Sequence, residues 1–187
     1  GAFTYVDTDG IDASAGTITT TQASGAGGAV SITAGGALAA GAIDTSGTTS
    51  GAGGDVTLVT SAGGITTAVS TTINTSGAGA SNNAGTVTLR SNATAVALSG
   101  SITATPGAGG TGVVTLGDGA TTATGVGAVT QPNGSISATT LNVRSTTGGV
   151  SLDRTGNAVT KLGSIATNGG AFTYVDTDGI DASAGTI

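Results

Sequence analysis

Apolar and polar positions alternate in short bursts along this chain, and the bursts recur at near-regular intervals. The clearest set is Phe3-Thr4-Tyr5, Val30-Ser31-Ile32, Val56-Thr57-Leu58, Val87-Thr88-Leu89, Val114-Thr115-Leu116, Leu141-Asn142-Val143 and Phe172-Thr173-Tyr174. Two intervals, from Val56 to Val87 and from Leu141 to Phe172, are slightly longer than the other four. Period-two alternation puts the two apolar residues of each burst on one strand face and Thr, Ser or Asn on the other. A second set follows each first: Ile11, Leu38, Ile65, Val96 with Leu98, and Val150 with Leu152. The stretch from Ala120 to Thr124 offers no clear member. A third set is Ile18, Ile43, Ile73, Ile102 and Val129, with Ile165 a poorly spaced member for the last interval. Gly-rich segments such as Gly25 to Gly28 and Gly51 to Gly54 divide the sets, and glycine suits corners that need positive φ.

Three short strands in every 26–31 residues predict an all-β parallel β-helix (β-solenoid). Coils stacked about 4.8 Å apart would bury Val, Ile, Leu and Ala inside and carry Thr, Ser and Asn outside. A β-sandwich is the rival, because short alternating strands between Gly-rich turns also read that way.

A longer repeat encloses the short one. Residues 1–18 and 170–187 carry the same eighteen letters, GAFTYVDTDGIDASAGTI, so that Gly1 recurs as Gly170 and Phe3 as Phe172. The six intervals of the first set run from Phe3 to Phe172, so about six coils make one 169-residue repeat. Residues 1–169 are read as one full solenoid repeat and 170–187 as the start of the next, in one continuous solenoid without separate domains. On that reading the sequence is a window on a longer periodic chain, and Phe172 should sit where Phe3 sits, displaced along the axis.

Composition narrows the choices. Charged residues are 7%, aromatics 2%, and Cys, His, Met, Trp and Glu are absent. Gly, Thr, Ser, Val and Ile disfavour helix and favour strands with turns. The net charge is −6 and the only basic residues are Arg90, Arg144, Arg154 and Lys161, which argues against a nucleic-acid partner. No apolar run approaches the roughly 20 residues of a membrane-spanning helix. Without His or Cys the familiar nucleophilic triads and most transition-metal sites are excluded. Paired Asp residues could serve a glycosidase, but the chain reads as non-enzymatic, with no catalytic residue and no cofactor assigned.

Strands of the form GGAVSIT (Gly27 to Thr33), GGDVTLVT (Gly53 to Thr60) and GTVTLRS (Gly85 to Ser91) resemble filamentous-haemagglutinin-like repeats. So does the run from Thr139 to Gly179, in which a strand pair around Gly-Gly precedes a G-A-F-T strand and an acidic turn. The resemblance implies a right-handed β-helix on a very large exported bacterial protein, at the cell surface or outside the cell. It makes the chain a structural repeat of a fibre, adhesin stalk or surface filament that self-associates end to end or side by side. The alternative is an adhesin module for a glycan or surface protein.

Three features are candidate sites. Asp7, Asp9 and Asp12, copied as Asp176, Asp178 and Asp181, place hard oxygen ligands in a D-T-D-G-I-D turn that suits Ca²⁺. The same string also reads as a solvated turn in which Asp caps backbone amides and Gly10 takes positive φ. Phe3 and Tyr5 should point inward from one strand and fill a wider rung, or, with that strand inverted, stack on a sugar. Finally, Thr19, Asp44, Asn74, Thr103 and Thr130 follow the third-set residues. A regular outward Thr ladder can bind ice, but here Asp and Asn interrupt it, and ordinary outward strand residues read as well.

Overall fold

The computed structural model describes residues 1–92, 94–117 and 127–183. Parallel strands build a β-solenoid of three faces, and no helix occurs among the described residues. The first face carries Phe3–Asp7, Val30–Ala34, Val56–Thr60, Val87–Ser91 and Val113–Gly117, then the later halves of Ile136–Ser145 and Ala158–Thr167. The second holds Ile65–Thr67, Val96–Leu98, Val129–Thr130, Val150–Leu152 and Phe172–Tyr174, below the early parts of Ile11–Thr19 and Leu38–Asp44. The third takes the later parts of those two strands, Thr72–Asn74, Ser101–Ala104, and the early parts of the two long strands.

Each face is a column of stacked, like residues. Phe3, Val30, Val56, Val87, Val114, Leu141 and Leu162 are successive partners on the first face. Alternation decides what is inside. Val30, Ile32 and Ala34 are buried while Ser31 and Thr33 between them are half-buried. The columns merge into one core that runs the length of the solenoid, with Leu58, Ile65, Val87 and Ile102 fully excluded from solvent.

The four early coils close through Gly-rich loops between the third and first faces. A threonine pinches three of these loops at the neck. The Thr45 hydroxyl donates to the Gly54 carbonyl at 2.6 Å, and the Gly54 N–H donates back to the Thr45 carbonyl at 2.7 Å. Thr20 with Gly28 and Thr75 with Gly85 repeat the clip in the neighbouring coils. Glycine is needed here for close approach rather than for positive φ. A Cβ on Gly53 would stand 1.7 Å from the Thr75 carbonyl oxygen, and one on Gly27 would stand 1.8 Å from that of Thr45. The left-handed conformation falls instead at turns such as Gly25, and at Thr49 and Ser81 within the loops.

Beyond residue 127 the loop disappears, and two expectations change with it. Ile136–Ser145 passes from the third face to the first as one strand without a glycine. The coil therefore shortens: Val129 pairs with Val150, and Val150 with Phe172, each pair closer in sequence than Val30 and Val56 of the early coils. Leu162 and Ile165 arrive in time to stack on Leu141 and Val143 of the first face. Phe172 comes too late for that column and joins the second face, so it does not occupy the place of Phe3. Ile165 is likewise a first-face residue, and Val129 belongs to the second set, paired with Val96 and Val150. The third-face column continues from Ile102 to Ile136, and Val159 stacks beside it on Ala138. The stretch from Ala120 to Thr124 lies outside the described residues.

The continuous core sets one expected outcome. Ile73→Ala removes a fully buried side chain stacked between Ile43 and Ile102. It should cost about 2–5 kcal/mol of unfolding free energy, measured by urea titration. A loss below about 1 kcal/mol would mean the stack closes over the gap.

Candidate functional site

The duplicated segment is where the acidic and aromatic residues meet, and the structure places its two copies differently. Copy one forms the outer coil: Phe3–Asp7 pairs with Val30–Ala34, and Ile11 and Ile18 pair with Leu38 and Ile43. Phe3 and Tyr5 lie opposite Val30 and Ile32, on the core side of their strand as alternation requires. With no coil beyond them they stay 37% and 45% exposed. In copy two Phe172 and Tyr174 pack against the core on the second face, their rings stacked at 6.5 Å.

Four local hydrogen bonds nevertheless recur in both copies. Asp7 Oδ1 accepts from the Asp9 N–H at 2.9 Å, and Asp176 Oδ1 from the Asp178 N–H at 3.0 Å. The Tyr5 hydroxyl donates to Asp7 at 3.1 Å and the Tyr174 hydroxyl to Asp176 at 2.6 Å. Asp12 accepts the backbone N–H and hydroxyl of Ser14, as Asp181 does from Ser183. These contacts join near neighbours in the chain, so sequence alone sets them. The glycine of the turn does differ: Gly179 has φ +94°, whereas Gly10 is not in the left-handed region.

The Asp residues thus cap their own turns. Among the described residues no group of three or more acidic, His or Cys side chains is placed to hold a metal ion. The hydrogen bonds have an electrostatic consequence. The Asp9 amide and the Tyr5 hydroxyl hold Asp7 below the ordinary carboxylate value of 3.8, and Ser14 does the same for Asp12. Burial pushes Asp176 up, but donation from Tyr174, Val159, Asp178 and Gly179 outweighs it and the net direction is down. Asp181 is lowered by Ser183, with a smaller contribution from Lys161. Tyr174 is raised, by burial first and then by Asp176.

Copy two is held by a buried amide pair with no counterpart among the candidate residues named from the sequence. Gln131 and Asn157 are buried and exchange two hydrogen bonds, Gln131 Nε2 to Asn157 Oδ1 at 2.7 Å and Asn157 Nδ2 to Gln131 Oε1 at 3.0 Å. Asn157 also accepts from the Ile136 N–H and donates to the Leu152 and Val175 carbonyls. Thr177 docks its hydroxyl and N–H on the Asn157 carbonyl. A signal was present: Gln131 is the next residue but one after the inward Val129, and Asn157 the last but one before the inward Val159, so period two points both inside.

The outward polar ladder is real but differently composed. Thr19, Asp44, Asn74 and Thr103 are successive partners, and Asn74 donates to Asp44 at 3.2 Å. Thr130 is not in it, because it lies on the second face between Ala97 and Ser151, and Ser137 follows Thr103 instead. The cleft along Ala42, Asp44, Thr72, Asn74 and Thr103 carries one ionisable side chain, Asp44. Compared with known proteins, the chain matches no family model, no curated protein and no solved structure.

Because Asp7, Asp12, Asp176 and Asp181 titrate lower when folded than unfolded, their stabilisation is complete above pH 3.8. It is lost as pH falls through the lower folded values. Thermal melting should therefore hold steady from neutral pH down to about 5 and drop below about 4. Asn157→Leu removes the acceptor of the Ile136 N–H and the donor to Gln131 Oε1, and leaves Gln131 Nε2 only its 3.4 Å bond to the Gly134 carbonyl, at about 1–3 kcal/mol for each buried group left unpaired. Chemical denaturation should show that loss; a midpoint equal to that of the parent chain would remove the amide pair as a support of the last coils.

Proposed function

We propose that this chain is a structural repeat of an extracellular fibre, an adhesin stalk or a surface filament. Its mechanism is mechanical: stacked coils add length, and each coil covers the strand edges of its neighbour. The observation that carries this reading is the parallel ladder itself. From Phe3 to Leu162 one first-face column passes through successive coils. The end strand of any isolated stretch of such coils is a template for further pairing. The resemblance of the chain's strands to filamentous-haemagglutinin-like repeats supports the same reading and an exported, cell-surface setting.

The fibre reading predicts concentration-dependent end-to-end association of the purified chain. Light scattering and negative-stain microscopy should show rods that lengthen with concentration. A strict monomer at high concentration would overturn it.

A further inference from the structure

We propose that Asn133 is a self-modifying site, at which the folded solenoid converts the asparagine amide to an aspartyl or isoaspartyl residue. The chain holds two Asn-Gly pairs, Asn133-Gly134 and Asn168-Gly169, and both asparagines are exposed. In such a pair the backbone nitrogen of the glycine attacks Cγ of the asparagine. The proton that nitrogen loses leaves with the side-chain amide as ammonia, and a cyclic imide remains. Water then opens the imide at either carbonyl. Opening at the side-chain carbonyl gives aspartate. Opening at the main-chain carbonyl gives isoaspartate, in which the backbone runs through the side-chain carbon. Glycine permits the closure because it has no Cβ to crowd the ring.

The two pairs differ in what closure breaks. Gly169 donates its N–H to the Thr167 carbonyl at 2.8 Å, so Asn168 reacts only when that bond opens. Among the described residues the Gly134 N–H has no acceptor and the Asn133 side chain no hydrogen-bond partner. The backbone on either side of the reacting atoms is pinned to the neighbouring coil. Asn133 donates its N–H to the Leu98 carbonyl at 3.3 Å, and the Ser135 N–H and hydroxyl reach Ser101 Oγ at 3.2 and 3.3 Å. Gly134 between them has φ +71°, and a Cβ there would stand 2.3 Å from the Gly100 carbonyl oxygen. Aspartate keeps the backbone length and fits this turn. Isoaspartate adds a methylene to the backbone between the anchors, where no slack exists. It must displace Ser135 and Ile136, and with them the bond from the Ile136 N–H to Asn157 Oδ1. The isoaspartyl product therefore loosens the coil that the Gln131–Asn157 pair supports, and the age of the chain is written at one place.

Incubation of the whole chain in mildly alkaline buffer tests the site. Cleavage after Arg90, Arg144 and Lys161 puts Asn133 and Asn168 in separate peptides, and tandem mass spectrometry reads the gain of one mass unit at each asparagine. In the folded chain Asn133 should convert roughly fivefold faster than Asn168, the ratio set by one net hydrogen bond. In urea the two rates should converge. A folded chain in which Asn168 keeps pace with Asn133 would overturn the site, as would an Asn133 that converts in urea and not in the folded chain. Converted chains, separated by charge and shown by an isoaspartyl methyltransferase to carry isoaspartate, should melt below the variant Asn133→Asp. Asn133→Gln, whose longer side chain closes a ring far more slowly, should hold its melting temperature through the same incubation. Converted chains that melt with Asn133→Asp would overturn the loosening of the coil. The fibre reading stands or falls apart from all of these outcomes.

Discussion

The spacing between paired strands, about 4.8 Å, governs this molecule. Every backbone segment that runs across the axis must find a partner at that distance above and below, in every coil. The strands meet the demand with β-branched and small residues, whose like side chains stack without clash. The loops meet it with glycine, because a carbonyl of the adjacent segment often occupies the space a Cβ would need, as at Gly27 and Gly53. The low charge and the scarcity of aromatics follow from the same limit, since large or charged groups do not repeat well at this pitch.

Much of this was legible from period two and the interval between bursts. The solenoid, the inward columns through Val56, Val87 and Val114, and the second face through Ile11, Leu38, Ile65 and Val96 were all readable. What failed was extrapolation past the last glycine-rich loop. The loop sets coil length, and ISATTLNVRS has none, so the coil shortens and Phe172 lands on another face. Equal spacing in the sequence could not reveal this. The stretch from Leu141 to Phe172 looks like one long coil and is one short coil plus part of another. The buried Gln131–Asn157 pair was hidden for a different reason: amides are read as surface until the register says they point inward.

The acidic turn shows how local and long-range information separate. Its Asp-to-amide and Tyr-to-Asp bonds form in both copies, since each joins near neighbours in the chain. Its strand partners differ, since these depend on what the neighbouring coil presents. A segment with fixed local form and adjustable register suits a junction better than a middle coil, where register is imposed from both sides.

The change of face between the copies has a geometric consequence. Copy one belongs to the first face of the coils that follow it, and copy two to the second face of the coils that precede it. Modules joined through this segment would each be turned by one face about the fibre axis. The Gly-rich loops, which in one module occupy the edge between the third and first faces, would then wind around the fibre as a spiral stripe. All sides of the filament would present the same loops in turn, so that no side is left smooth.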